Sequence, residues 1–594
     1  MTNKGVAIRY GDVAPEAKEN FIPTSSEQKF DTLHQLQQYN LNFPNYANPC
    51  ELYSVVLDGT ASAFPSVPED ANLGLISYKL SNDDGAFTDP IVLTLTSNGQ
   101  YSSQGFTFTF DTFNQIYATH INIKWYRNGE IIKDANGQPQ DKDFYPDNAF
   151  YFCRNQVSNY DKVVITFYSI NMPKNRLKLR VIDYGYGTFF YGNELRNVKL
   201  IQEIDPISTQ ISINTADFTL DSKSDMEYSF QAKQPLSIYF NGELKATTFV
   251  KKSTRKAKHL WSIQSEDYIG LMDSLPFYGG IYENKSVVDL LNDIFQWQEE
   301  TQTTKIPYEL DEVFEDATVT GYIPFTTRRD ALMQVAFAIQ AVVDTSNSDV
   351  VKVFALEKDV KQTVPLNRIM QGQNFADDET VTAVEVAVHK YVPKTDTSTN
   401  SWIVVYEAAD DGVGQDILVK FSEPLHSLDT RGNGEILESG TNYAIVNAND
   451  SSFRLAGLGY DHTTQIKTKK NDVVLASELE KIVSVENATL VSPSNVDMIL
   501  NNCYEWLTRT NQTNLKIVEG KHIEYGGKVK FGQKKFGTFK FGETLPSTII
   551  YDKAVNVGEN IQAETEYLGV VGGRLIKQSF NLNGNIIIKE AVLK

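Results

Sequence analysis

Seven histidines, three cysteines and a thrice-repeated Lys-Phe-Gly are the residues of this chain best suited by type to chemistry. The histidines stand at 34, 120, 259, 389, 426, 462 and 522, and no two share a metal-ligand spacing. HExxH is absent, which closes the zinc peptidase route at motif level. Asp461-His462 is the one adjacent acid–imidazole pair, but a general base needs a nucleophile beside it and no nucleophile motif accompanies it. His389 lies in the strand-like run VAVHKY and reads as a packed or edge histidine. Cys50, Cys153 and Cys503 are far apart with no CxxC pair, so neither a disulfide framework nor a zinc knuckle is expected. There is no P-loop and no GxSxG elbow. Gly432-Asn433-Gly434 opens like GxGxxG, lacks the third glycine and sits in a polar loop, so it reads as a turn. The 75 Asp and Glu residues leave a glycosidase-type pair open in composition, yet nothing nominates one. The expectation is a protein that is not an enzyme, with no catalytic, cofactor-binding or metal-ligating residue and no cofactor.

Two aromatic features remain. Tyr184, Tyr186, Phe189, Phe190 and Tyr191 crowd a Gly-rich segment, DYGYGTFFYGNEL, where they suit an interdomain wedge better than a platform for sugar rings. KVKFGQKKFGTFKFGE repeats Lys530-Phe531-Gly532, Lys535-Phe536-Gly537 and Lys540-Phe541-Gly542 at a spacing of five. Lysine beside an aromatic ring is the chemistry of phosphate gripping and base stacking. Five, however, matches neither a helix face nor one face of a strand. Glycine after each phenylalanine suits chain reversal, so the segment reads as a compact β-turn element with solvated lysines, one that meets a neighbouring surface and does not bind nucleic acid.

The charge agrees. With 55 basic against 75 acidic residues, the net charge of −20 repels nucleic acid at long range. At 594 residues, 41% hydrophobic and 22% charged, the chain is long enough for roughly three to five globular domains. The N-terminal residues lack an apolar h-region, and the longest helical apolar stretch, 331–343, is too short to span a bilayer. Neither a signal peptide nor a transmembrane segment is expected, and the chain should fold in a reducing cytosol.

The elements that must position these residues are mostly strands. Phe106, Phe108 and Phe110 alternate with threonine; Ile121, Ile123 and Trp125 alternate with polar residues; so do Val163, Ile165 and Phe167, and Leu177, Leu179 and Val181. Asn128-Gly129 and Asn136-Gly137 mark turns between such runs. The fold class is mainly β with small α/β parts. Residues 1–69 form an N-terminal extension and 70–196 a β-sandwich of jelly-roll type. Residues 197–275 form a first tube-like antiparallel β-barrel, whose hairpin turns at Asn241-Gly242. Residues 276–375 form a small α/β domain, with helices after Ser286 and from Thr326 or Thr327. Residues 376–480 and 550–594 form a second barrel, and 481–549 an inserted subdomain carrying the repeats.

IQEIDPISTQISINTADFTLDS, SEDYIGLMD and TTRRDALMQVAFAIQAVVDTS, in that order, resemble the baseplate hub and tail-tip proteins of phages and prophages of Gram-positive bacteria and of phage-tail-like bacteriocins. The resemblance covers about 197–594. A second one, over ANLGLISYKLSNDDGAF and PIVLTLTSNGQYSSQGFTFTFD, is to discoidin-like domains. The first implies a structural virion protein in which two barrels per chain and three chains form a ring, adapting a six-fold tube to a three-fold tip. It implies a homotrimer contacting tail tube or distal tail, baseplate or tip, and tape-measure proteins, with DNA only as passing cargo along an acidic lumen. Its place is the virion tail, assembled in the host cytoplasm. The alternative is a glycan-binding adhesin or receptor-binding tail protein that meets host cell-wall glycan through the discoidin-like sandwich.

Overall fold

A computed structural model describes residues 5–13, 17, 20–25, 46–47, 62–63, 74–112, 114–134, 137–222, 230–295, 306–398, 401–409, 412–472, 480–523, 549–551, 554–582 and 586–594. The Lys-Phe-Gly repeats, Cys50, His34 and Asn136 lie outside the described residues. The described residues are mostly β, with 57% strand against 10% helix, as the alternating patterns require. The chain divides into one unit of residues 1–194 and 226–243 and a second of 195–225 and 244–594.

In the first unit the long strands Ala86–Phe110 and Phe150–Ile170 pair antiparallel along most of their length. Register shifts between Arg154 and Lys162 mark where the ladder bends. Beyond the bend each strand finds a different neighbour. Lys178–Asp183 pairs with the 107–110 end of the first, while Ala118–Arg127 pairs with the 162–170 end of the second. Two layers therefore share one core, in which Phe106, Phe108, Phe110, Ile121, Ile123, Trp125, Val163, Ile165 and Phe167 are fully buried. The expected apolar positions are all in the core, and Thr107, Thr109 and Asn122 between them are buried as well. Asn128 and Gly129 both take positive φ, 50° and 83°, which a two-residue primed turn demands.

Two boundaries of this unit differ from the sequence-based expectation. Val6–Val13 is a strand, paired with Gly185–Tyr191 on one side and Pro235–Phe240 on the other, so the N-terminus contributes to a sheet. Residues 226–243, expected in the first barrel, group with the sandwich for the same reason. A strand edge accepts whichever partner its twist and side chains suit, and the partner's place in the chain leaves no local trace.

In the second unit, a run of antiparallel neighbours passes from Glu243–Arg255 through Leu260–Glu266, Thr215–Asp221 and Leu195–Glu203 to Gly569–Asn581, Ile586–Leu593, Asn511–Ile523 and Asn374–Asp377. Lys199–Glu203 stand opposite Lys577–Asn581. Strands expected in two separate barrels thus share one ladder, and 511–523, expected in an insertion, runs inside it. Asp416–Lys420, Gly434–Ser439 and Tyr443–Ala448 instead form a small sheet of their own, and Trp402–Glu407 and Leu425–Arg431 pair with Arg454–Lys470, which also pairs with Ala383–Pro393. The shared ladder has a physical basis: an edge strand exposes unpaired N–H and C=O groups, and joining two edges satisfies both.

The α/β piece packs helices Val287–Phe295 and Arg328–Ile339 around Leu290, Leu291, Ile294, Leu332, Val335 and Val353. Thr327 caps the second helix, its Oγ1 accepting from Asp330 N at 3.2 Å, and Asp330 Oδ2 accepts from Thr326 Oγ1 at 3.1 Å. The helix ends where Gln340 turns left-handed, at φ 56°. Thr327→Ala is expected to lower stability by about 1 kcal/mol, measured by urea unfolding, because one of the helix's orphan donors loses its acceptor.

Candidate functional site

The three segments that carry the resemblance to tail proteins meet at Asp267. This carboxylate caps the short helix Tyr268–Met272, with Oδ1 accepting from Gly270 N at 3.1 Å. Its Oδ2 accepts from Thr345 Oγ1 at 2.6 Å and from Asn214 N at 3.0 Å. Asn214 Nδ2 in turn donates to Thr345 Oγ1 at 2.8 Å and Ser346 Oγ at 3.3 Å. One acid from SEDYIGLMD thereby holds the end of TTRRDALMQVAFAIQAVVDTS and the strand region before Thr215. Burial pushes the Asp267 carboxyl up to about 6; the Thr345 hydroxyl and the two backbone N–H donors act in the opposite direction. Neighbouring Asp344 is also raised by burial, against the Ser346 hydroxyl and backbone hydrogen bonds that favour its charged form.

The arginines at the start of TTRRDALMQVAFAIQAVVDTS complete the joint. Arg329 donates to the Ile211 carbonyl from Nη2 at 2.6 Å and Nε at 3.0 Å, and reaches Asp273 at 3.3 Å. Arg328, buried, donates to the Ile294 carbonyl at 2.6 Å. Planar guanidinium forks tie helix, loop and strand where a single ammonium would reach one of them. On the far side Gln334 brackets residues 487–489, donating to Asn487 O at 2.7 Å and accepting from Thr489 N at 2.9 Å. The chemistry here is mechanical: polar groups are consumed by one another and fix the geometry between a sheet and an α/β layer.

The histidines considered from sequence are brought together elsewhere. His389 and His462 lie on paired strands, with His389 opposite Thr464 and His462 opposite Tyr391. His389 Nδ1 is 2.9 Å from His462 Nε2, and the other His389 nitrogen donates to Glu486 O at 3.1 Å. That donation makes Nδ1 of a neutral His389 the acceptor, so His462 Nε2 supplies the proton between them. His462 stacks flat on Tyr391, centroids 4.4 Å apart. Burial holds the His389 pKa down, the Glu486 carbonyl pulls it up, and His462 adds to the depression. Asp461 takes no part: adjacent strand residues face opposite sides, and it reaches Lys394 at 3.9 Å instead.

The remaining candidates have structural places. Gly432 has φ 88° with the Ser452 carbonyl where a Cβ would stand, so it is a turn glycine. Cys153 and Cys503 are buried free thiols. Burial raises both, Cys503 up to about 12 with a contribution from Asp205, which leaves them protonated and unreactive. In the aromatic segment, Tyr184 stacks on Phe21 at 5.0 Å, Tyr186 meets Phe152 edge-on at 5.1 Å and Phe190 packs near Phe230 at 5.9 Å. These rings are spent inside the first unit. Among the described residues, no three or more His, Cys, Asp or Glu gather as a metal set, and no helix is long and apolar enough to cross a membrane. Sequence reasoning missed Asp267, Asn214 and the buried pair Lys589–Glu519; an acid immediately before a Gly-containing helical run was the available signal for the first.

Neither a protein-family model nor a curated protein matches the chain. Among solved structures it is similar to the tail protein from Neisseria meningitidis MC58, at 10% identity over 68% of this chain and 93% of that one, TM-score 0.38. It is similar to the 43 kDa tail protein of prophage MuSo2 from Shewanella oneidensis, at 8% identity over 68% and 96%, TM-score 0.37. A third is prophage tail protein gp18 from Listeria monocytogenes EGD-e, at 10% identity over 68% and 91%, TM-score 0.34.

Proposed function

We propose that the chain is a structural component of a phage tail or phage-tail-like particle, acting at the baseplate hub or tail tip. The observation that carries this reading is the Asp267 junction. The segments resembling tail proteins converge there on a buried joint that positions a sheet against an α/β layer, and its polar groups are spent on one another. A part whose most specific residues serve rigidity suits a load-bearing assembly better than turnover.

In this reading three copies form a ring that adapts a six-fold tube to a three-fold tip. They contact tail tube or distal tail proteins above, and tip and tape-measure proteins within. DNA passes as cargo, and the net charge of −20 serves a lumen that must not hold it. Cell-wall degradation belongs to another protein of the particle, and the location is the virion tail. The expected result is a particle map with three copies around the axis and more Asp and Glu than Lys and Arg on lumen-facing positions. A monomer at the tail periphery, or a lysine-rich lumen, refutes the reading.

A further inference from the structure

We propose that the first unit holds a strand-acceptor site, and that in an assembly of copies this site takes residues 5–25 of a neighbouring copy of this chain. In the single chain its own segment fills the place. Val6–Val13 lies between Gly185–Tyr191 and Pro235–Phe240, so residues 7–10 are paired on both edges. Gly5 adds a reciprocal exchange with Asn241: its N–H donates to Oδ1 and its carbonyl accepts from the Asn241 N–H, each at 2.9 Å. Further along, Phe21 is buried in the sandwich core and stacks on Tyr184 at 5.0 Å. Ile22–Ser25 then pairs with residues 93–96. Two strands and one inserted ring thus bind the segment to partners remote in sequence.

The contacts select this segment over other extended peptides. Ile8 and Tyr10 are fully buried, and Arg9 between them turns to the opposite face, where it pairs with the buried carboxylate of Asp183. The Tyr10 ring meets Phe230 edge-on at 4.8 Å, and its hydroxyl accepts from Gln231 N at 3.2 Å. A slip of one residue would aim Arg9 at the core and take it from Asp183. A second copy carries the same residues in the same register, so it fits where an unrelated strand does not.

Contact, and not the connection, holds the segment in its own copy. Residues 26–73 join it to the rest of the sandwich, and a run of that length reaches at most about 160 Å. A domain of this size is roughly 40 Å across, so the connection extends to an adjacent copy as well as to its own groove. The bonds formed are the same in both cases, which is the condition for low-cost exchange of an element between copies. Charge favours such a contact. Copies that each carry −20 repel one another at long range, and short-range strand pairing offsets that repulsion. The inference rests on copies standing side by side, as in the reading above, and names one contact between them.

Mixed disulfides test it. Thr24 and Thr94 are cross-strand partners at the surface. One chain carries Thr24→Cys and the other Thr94→Cys, each with Cys50→Ser and its own affinity tag, and the two are co-expressed, purified and oxidised. The expected product is a reducible dimer bearing both tags. Adding Arg9→Glu to the first chain should cut it about five- to tenfold, because a second carboxylate then faces Asp183. The double variant Thr24→Cys with Thr94→Cys calibrates closure within one chain, and circular dichroism checks that each variant folds. Absence of the two-tag dimer overturns the exchange and leaves the hub reading standing, since the particle map tests that separately. A two-tag dimer that Arg9→Glu leaves unchanged also overturns it, because chance collision would then be its source.

Discussion

Replacing Lys589 with methionine should lower the stability of the second unit by about 3–5 kcal/mol, the usual consequence of stranding one member of a buried ion pair. Lys589 Nζ stands 2.8 Å from Glu519 Oε1, with the two side chains 5% and 7% exposed. The ammonium also donates to the Val555 carbonyl, and Glu519 accepts from Val555 N, so both charges are wired to one backbone residue. Burial depresses the lysine pKa and Glu519 pulls it back, a balance that persists only while both are present. Methionine keeps most of the volume and removes the charge, leaving Glu519 in a dry site. The double variant Lys589→Met with Glu519→Leu should recover part of the loss, the remainder being the Val555 groups left without partners. Urea unfolding of the full chain reads both. A single-variant loss below about 1 kcal/mol would mean the pair behaves as a surface salt bridge.

Asp267→Asn should cost about 1–3 kcal/mol at pH 7, because the amide has one acceptor oxygen where three donors converge. It should also change the pH dependence. The unfolded carboxyl titrates near 3.8 and the folded one at about 6, so between those values the folded state binds more protons. The contribution of Asp267 is therefore fully present below about 3.8 and declines as pH rises through about 6. The variant should lack that decline, with its stability deficit largest at acid pH and smaller at pH 7. Thr345→Val should be non-additive with Asp267→Asn, since both remove the same 2.6 Å hydrogen bond. Equal and additive losses at all pH values would refute the junction as a coupled unit.

What the sequence determined by itself is what nearest neighbours along the chain enforce. Period two at 106–110 and 121–125 forces one face of each strand into a core, and those residues are fully buried. Asn128-Gly129 and Asn241-Gly242 accept positive φ, and the backbone turns at both. Thr327 offers an acceptor to a helix-end donor, and the helix starts there. The charge, the missing metal spacings and the broken glycine motif were equally local. The tertiary structure decided which edges meet. Nothing near Lys199 announces Asn581, nothing near Val6 announces Phe240, and His389 and His462 look unrelated until their strands pair. Strand pairing is made by backbone groups common to all residues, and its selectivity comes from packing summed over the whole sheet. The same holds for Asp267 and for the Arg9–Asp183 pair, whose members are ordinary residues until separated segments bring them within hydrogen-bonding reach.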